Sequence, residues 1–199
     1  MPVKEYLTKD EIKRLFDAVD SKRDKLLFRM GLAFGPRVSE ISDIPLRNIV
    51  SDRIKIHDIK KKCYRDVILD SGTRELLDRY LQTGWSERHR KGHWSKRNRK
   101  GQRADKHERL FYMSPKTINR VVKFWFERAE IPLDKAHWHV FRHTYIYQSM
   151  EAGVPISHLV AQTGDSVEVL INDYGMPTID SRIEVMEERG RYWEPGVKG

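Results

Sequence analysis

The first forty residues place apolar side chains at the spacing of two helices. Thr8 is followed three positions later by Glu11, the signature of a capping box. Apolar residues then recur at helical intervals, at Ile12, Leu15, Phe16 and Val19. We therefore predict a first helix over residues 9–19. The apolar run LLFRMGLAFG precedes Pro36, so it predicts a buried second helix that ends near Gly35.

The pattern then changes from the helical to the strand repeat. Residues 53–59 alternate apolar and polar positions, and residues 65–69 end in the apolar run VIL, so they predict a hairpin around the basic sequence KKKCY. Helical periodicity resumes over residues 72–82, 115–130, 139–152 and 156–163. These elements predict a mainly α fold with a small antiparallel β-sheet, in the α+β class.

The last third of the chain contains two further local signals. The two helices joined through AGVP also fit a helix-turn-helix, a motif that is weak on its own. The segment IDSRIEVMEERG predicts a short helix, and RYWEPGVKG predicts a loose tail.

Length and composition predict one domain over residues 1–199. A chain of 199 residues with 39% hydrophobic residues can bury a full core. Its single cysteine, Cys63, excludes an internal disulfide framework, and no apolar run approaches the roughly 18 residues that cross a bilayer. The N-terminus lacks a signal peptide's apolar core, so we expect a cytoplasmic protein, in the host cytoplasm or nucleoid if a virus or plasmid encodes it, with no membrane partner.

The positive charge of the chain is concentrated in one segment. Residues 88–109 hold ten Lys or Arg and two acids, which is +8 of a net charge of +9. We interpret residues 84–109 as a basic loop or β-ribbon that follows a nucleic-acid backbone, with Trp94 stacking on bases. A solvated insertion without specific contacts is the alternative. The residues predicted to bind DNA are Arg65 in the hairpin and Arg90, Lys91, Trp94, Lys96, Arg97, Arg99 and Lys100 in the loop.

Four residues suited to phosphodiester chemistry are distributed along the chain. In HVFRH, His139 and Arg142 stand three positions apart and share one face of the predicted helix. Arg37 follows GLAFGP, and Tyr174 ends TGDSVEVLINDY. Guanidinium groups bind phosphate oxygens, imidazole transfers protons near neutral pH, and a phenol can attack phosphorus.

Together these segments resemble the catalytic domain of the tyrosine recombinases, the family of phage and archaeal integrases and Xer proteins. The resemblance is collinear from about Tyr6 to Tyr174 and runs through YLTKDEIKRLFDAV, GPRVSEI, IKKKCYRDVIL, HVFRHTY and TGDS. It implies the tyrosine recombinase catalytic-domain fold. It also implies a site-specific DNA recombinase or integrase that needs no cofactor, metal or ATP. Its partners would be double-stranded DNA and further copies of itself, as a dimer or tetramer on DNA.

The resemblance also assigns catalytic roles. Tyr174 is the nucleophile that forms a 3′-phosphotyrosine, Arg37 and Arg142 clamp the scissile phosphate, and His139 is an acid or base. Lys60 matches the hairpin lysine that protonates the leaving 5′ oxygen. Other assignments stay open: Lys61 or Lys62 in place of Lys60, Tyr145, Tyr147 or Tyr192 in place of Tyr174, and a plain ion pair between Arg37 and Glu40.

The sequence departs from the family pattern at Asp165. The family usually has His here, less often Trp or Lys, where it hydrogen-bonds a phosphate oxygen. An ionised carboxylate repels phosphate, so we expect Asp165 to be protonated, paired with a cation such as Arg142, or turned away. His143 or His158 is a candidate donor in its place.

The resemblance has limits in domain content and activity. The chain begins almost at the catalytic domain's first helix, so we expect the N-terminal core-binding domain to be absent from it, either because the chain is a fragment of a larger protein or because it is a minimal member of the family. Residues 164–199 form the nucleophile segment and tail. A type IB topoisomerase-like enzyme and a non-catalytic or impaired DNA-binding protein of the same fold remain alternatives. No metal site is predicted, because His137, His139 and His143 lack an HExxH glutamate and a second cysteine.

Overall fold

A computed structural model of the chain describes residues 5–58, 63–82 and 109–175, with Ile183, Met186 and Glu187. The described elements are α1 Lys9–Ala18, α2 Lys22–Phe34, α3 Val38–Ser42, β1 Ile49–Val50, β2 Arg53–Asp58, β3 Cys63–Ile68, α4 Ser71–Tyr80, α5 Pro115–Arg128, α6 His139–Glu151, α7 Ile156–Thr163 and α8 Val167–Tyr174. This confirms the predicted mainly α fold with a small antiparallel sheet. None of the helices in these ranges is long and apolar enough to cross a bilayer.

The predicted helices agree with the structure to within two residues because their end signals are local. At α1, Thr8 Oγ1 accepts the Glu11 N–H at 3.2 Å, and the Glu11 carboxylate accepts the Thr8 N–H at 2.8 Å. Helix α2 ends at Gly35, whose φ of 56° is left-handed. Helix α8 was not predicted. It is only 8 residues long, with Ser166 as its N-cap. A helix this short is stabilised mainly by tertiary packing, which local sequence does not reveal.

The three strands form an antiparallel sheet in the order β1-β2-β3. The β2–β3 register runs from Arg53 opposite Ile68 to Asp58 opposite Cys63. Strand β3 therefore begins two residues before the predicted 65–69, because pairing with β2 continues through Tyr64 and Cys63. The hairpin is confirmed, and its lysine tip at residues 59–62 lies outside the described residues.

Two apolar clusters lie in the part of the chain that the structure describes. The larger one has α2 and the start of α6 at its centre, where the rings of Phe28 and Phe141 stack with centroids 5.2 Å apart. The smaller one contains Ile146 of α6, Leu159 of α7 and Leu170 of α8. Helix α6 belongs to both clusters, so it is the element that connects them.

Two predictions fall wholly or mostly on residues that are not described. Of the basic loop at 84–109, only Arg109 is described, and its guanidinium pairs with Asp43 at 2.7 Å. Of the helix predicted in IDSRIEVMEERG, Ile183, Met186 and Glu187 are helical, and its other residues lie outside the described ranges.

Candidate active site

Arg37 is positioned by a turn that α6 holds in place. At Gly35, an added Cβ would lie 2.9 Å from a ring carbon of Tyr145, so both the positive φ and the close approach require glycine. The Pro36 carbonyl accepts the indole N–H of buried Trp138 at 2.7 Å. Gly35 lies against Tyr145 of α6, and Pro36 binds Trp138 just before that helix. The turn therefore brings Arg37 to the start of α3 beside α6.

Arg142 points from α6 into the same place. Its side chain is 3% exposed. Its Nη1 donates to the Gly35 carbonyl at 2.6 Å, and its Nη2 donates to the Thr163 carbonyl at 2.9 Å. A buried guanidinium is tolerated only when it is paired and hydrogen-bonded. Two carbonyls meet part of that requirement, and a carboxylate supplies the opposite charge.

That carboxylate is Asp165, which bridges the two arginines. Its Oδ1 accepts from Arg37 Nη2 at 2.8 Å, and its Oδ2 accepts from Arg142 Nη2 at 2.5 Å. Of the three states that the sequence left open, the structure therefore shows pairing with a cation, and with two cations rather than one. Carboxylates and phosphates both present oxygens that fit guanidinium forks. The two arginines thus form an anion site, and the protein's own carboxylate lies in it.

Further carboxylates surround Arg37. Its Nη1 lies 3.2 Å from both Glu40 and Asp58. Burial lowers the pKa of the Arg37 guanidinium, but the carboxylates of Glu40, Asp165 and Asp58 raise it, and the net effect is a raised pKa. Arg37 therefore stays charged. Its ion pair with Glu40 is present, but Glu40 is buried, so the pair is not an ordinary surface contact.

Arg65 belongs to this charge network. Its guanidinium holds both Glu40 oxygens at 2.9 Å, and its Nε donates to the Gln162 carbonyl at 3.0 Å. Arg65 therefore links Glu40 at the start of α3 to the Gln162 carbonyl of α7. Its contact with DNA stays a prediction. Sequence reasoning missed Asp58. The available signal was a carboxylate in line with Ile54 and Ile56 on the buried face of β2.

Tyr174 lies at the end of α8, where it meets a histidine of α6. The Tyr174 hydroxyl is 2.6 Å from His143 Nδ1. Burial raises the pKa of the Tyr174 phenol most strongly. Arg142 lowers that pKa and Asp165 and Asp173 raise it, so the net shift is upward. The phenol is therefore neutral at physiological pH, and it lies close enough to the arginine site to sense Arg142 and Asp165.

The other candidate histidines occupy different places. His139 is exposed at the start of α6, with its ring centroid 5.2 Å from that of His143. His158 is exposed on α7. Sequence analysis named His143 only as a possible substitute donor for Asp165, whereas the structure puts it against the nucleophile candidate.

The structure brings four of the six predicted catalytic residues into one region: Arg37, Arg142, Asp165 and Tyr174, with His139 at its edge. Lys60 lies outside the described residues, but Asp58, two positions before it, contacts Arg37. The predicted DNA-binding residues from Arg90 to Lys100 also lie outside the described ranges. Within those ranges, no group of three or more His, Cys, Asp or Glu is arranged to hold a metal ion.

The two arginines and the neighbouring phenol are chemically suited to a reaction at a phosphodiester. Two fixed guanidinium groups can bind the non-bridging oxygens of a phosphodiester and stabilise the charge that develops on them. A neutral phenol next to them can attack phosphorus if a neighbouring base takes its proton.

Comparison with known proteins identifies the family that this chain resembles. A sequence model described as the phage integrase family matches residues 5–170. Tyrosine recombinase XerA of Pyrococcus horikoshii is 27% identical over 152 residues, which cover 75% of this chain and 49% of the relative. The chain thus spans about half the length of that relative.

Two solved structures show the same fold. The catalytic domain of bacteriophage HP1 integrase superposes with a TM-score of 0.62 at 22% identity, covering 90% of this chain and 94% of that domain. The integrase of transposon Tn1549, solved in complex with transposon right end DNA, superposes with a TM-score of 0.71 at 17% identity, covering 93% of this chain and 66% of that one. The fold is that of a tyrosine recombinase catalytic domain.

Proposed function

The chain belongs to the phage integrase family, and from that premise we propose that it is a site-specific DNA recombinase or integrase that uses Tyr174 as its nucleophile. The observation that carries the proposal is the convergence of Arg37 and Arg142 on one anion beside the Tyr174 phenol. A scissile phosphate placed where the Asp165 carboxylate lies would meet both guanidinium groups and lie beside the phenol.

The proposed reaction is a transesterification. The Tyr174 oxygen attacks phosphorus, the bond from phosphorus to the 5′ oxygen breaks, and a 3′-phosphotyrosine forms. Arg37 and Arg142 stabilise the charge on the non-bridging oxygens. Lys60 gives a proton to the leaving 5′ oxygen, and His139 assists at the phosphate. Because the new phosphodiester conserves the bond energy, a free 5′ hydroxyl can reseal the strand without ATP or metal.

Asp165 has to respond when the phosphate binds. Two unit charges 4 Å apart repel by about 4 kcal/mol at an effective dielectric constant near 20. The carboxylate and the phosphate therefore do not share the two arginines while both are ionised. Asp165 either leaves the arginines or binds a proton, and the cost of that step is subtracted from DNA affinity.

Double-stranded DNA and further copies of the chain are the proposed partners. The integrase of transposon Tn1549 was solved with DNA, and this chain has the same fold. The charge of residues 88–109 suits a phosphate backbone. Recombination joins two duplexes, so we propose a dimer or tetramer on DNA.

The Asp165 contacts also favour a second candidate, a DNA-binding protein of the same fold with impaired catalysis. A carboxylate that holds both arginines competes with the scissile phosphate, whereas DNA contacts outside the site are unaffected. This candidate predicts binding without strand cleavage.

A covalent-adduct assay tests the proposal. Nicked duplexes with candidate sites are incubated with the protein and run on a denaturing gel. We expect a protein–DNA band that Tyr174→Phe abolishes and that the control Tyr147→Phe keeps, because Tyr147 instead stacks on Tyr6. Binding without any band across a broad panel of sites would support the second candidate.

Asp165→Asn separates the two candidates further. The amide keeps the shape of Asp165 but removes the charge that competes with phosphate. We expect a faster adduct in an active enzyme. If Asp165→Asn produces a band where the unchanged protein gives none, the carboxylate is the element that impairs catalysis.

A further inference from the structure

The contact between His143 and Tyr174 gives the phenol an imidazole partner. The hydroxyl oxygen and Nδ1 are 2.6 Å apart, and the rings tilt by 51° with centroids 5.7 Å apart. The two residues come from α6 and α8 and are 31 positions apart, so tertiary packing makes the contact.

The smaller apolar cluster supports this pairing. Ile146 lies three positions after His143 on α6, and Leu170 lies four positions before Tyr174 on α8, so each shares a helix face with its polar neighbour. Ile146 and Leu170 are both fully buried and pack in one cluster. Apolar packing one turn away therefore brings the imidazole to the phenol.

The phenol needs a base, because a neutral phenol is a weak nucleophile. Two of the nearby charged side chains are already engaged: Arg142 by two carbonyls and Asp165, and Asp165 by two guanidinium groups. Arg142 can only donate. The structure shows His143 Nδ1 in hydrogen-bond contact with the reacting oxygen, and an imidazole can accept a proton near neutral pH.

We propose that His143 is a catalytic residue that takes the phenol proton as Tyr174 attacks phosphorus and returns it when the strand is resealed. This inference rests on the proposed function. In the resting state the ring carries its proton on Nε2, and Nδ1 accepts the hydrogen bond from the phenol. In the forward step the proton moves from the Tyr174 oxygen to Nδ1, the oxygen–phosphorus bond forms, and the imidazolium remains. In the reverse step the departing phenolate recovers that proton.

This role predicts a dependence on pH. Protonated His143 cannot accept, so we expect cleavage to fall as the pH drops and the imidazole is protonated. The charged and titratable groups near the pair are His139 and Arg142 on α6, Asp165 before α8, and Asp173 on α8.

Two substitutions separate proton transfer from simple positioning. An asparagine amide reaches about as far as Nδ1, so His143→Asn keeps a hydrogen-bond partner for the phenol but accepts no proton. His143→Ala removes both functions. His158→Asn is the matched control, because His158 is exposed on a neighbouring helix.

The experiment measures single-turnover adduct formation on nicked DNA between about pH 5.5 and about pH 9. We expect His143→Asn and His143→Ala each to slow adduct formation by about 10²–10⁴-fold and to lose the acidic limb of the pH profile, with His158→Asn unchanged. Circular dichroism and DNA affinity check that the variants are folded.

A second substrate identifies the step. A sulfur in place of the bridging 5′ oxygen leaves without needing an acid, so it rescues loss of a general acid but not loss of the base. We expect no rescue of His143→Asn. Rescue, or an unchanged rate and pH profile in His143→Asn, overturns the inference while leaving the Tyr174 mechanism intact. Absence of any adduct from the unchanged protein overturns both proposals.

Discussion

The two halves of the candidate site are supported by very different amounts of packing. Arg37 and Arg142 are attached to the larger cluster, which contains 28 buried apolar residues among those described, including Phe28, Phe141 and Trp138. Tyr174 is attached to a cluster with three, Ile146, Leu159 and Leu170. The difference indicates that the rigid anion site lies next to a segment of lower local stability, which carries the candidate nucleophile Tyr174.

Polar contacts connect the two regions. Arg142 donates to Thr163 and Asp165, His143 meets Tyr174, and the Arg65 Nε donates to the Gln162 carbonyl. When a phosphate replaces Asp165, one of these connections is lost. We therefore expect DNA binding and the placement of Tyr174 to be coupled through the segment from Thr163 to Asp165.

We expect the largest effect on stability and activity from Arg142→Ala, because Arg142 joins the anion site to Thr163 and Asp165. It leaves the Gly35 and Thr163 carbonyls without this donor and Asp165 with one arginine. We expect the free energy of unfolding to fall by about 3–5 kcal/mol, as when one partner of a buried ion pair is removed, and adduct formation to be lost. Chemical denaturation and the gel assay measure the two effects.

Arg79→Ala is the control for that experiment. Arg79 pairs with Glu75 on the surface of α4, and its side chain is 61% exposed. We expect its stability and its activity to match those of the unchanged protein, because exposed ion pairs contribute little. A stability loss no larger for Arg142→Ala than for Arg79→Ala would contradict the buried role of Arg142.

The next prediction compares the local stability of the two apolar clusters. Leu170→Ala leaves a cavity in the smaller cluster, and we expect the opening free energy of α8 to fall by about 2–5 kcal/mol. Amide hydrogen exchange should accelerate in α8 and remain slow in α2. Phe141→Ala, in the larger cluster, should accelerate exchange in both. Equal acceleration in α2 and α8 by Leu170→Ala would mean that the two regions unfold as one unit.

We expect the smallest effect on stability from changes to the ion pair of Glu11 at the start of α1. Buried Glu11 caps α1 and pairs with Lys135 Nζ at 2.8 Å. Burial raises the pKa of Glu11, but the hydrogen bonds from Lys135 and Thr8 lower it, and the net shift is below its ordinary 4.5. Its stabilisation is therefore present above about pH 4.5 and is lost as pH falls through the lowered pKa.

We expect Glu11→Gln to lower the free energy of unfolding by about 1–3 kcal/mol at neutral pH, the usual range for hydrogen bonds to a charged group. The difference from the unchanged protein should shrink in acid. Urea unfolding at several pH values measures it. Asp17→Asn, in the exposed pair with Lys13 on the same helix, should have no measurable effect. A Glu11→Gln penalty that is constant with pH would argue against the ion pair.

Local signals account for what was predictable from sequence. The Thr8–Glu11 capping box, Pro36 after α2 and the alternation in β2 each act over a few residues, so they predict their elements well. Family resemblance predicted the candidate site residues but not their contacts. Asp165 meets an arginine 128 positions away and Arg65 meets Glu40 25 positions away, and such contacts depend on how helices pack. The contact between His143 and Tyr174 was missed for the same reason.

The most direct test of the account is to isolate the protein–DNA adduct, digest it and locate the nucleotide by mass spectrometry. We predict a nucleotide attached through its 3′ phosphate to the peptide that carries Tyr174, with no modification at Tyr145, Tyr147 or Tyr192. An adduct on any of those three residues would contradict the assignment of Tyr174 and the site built around Arg37, Arg142 and Asp165.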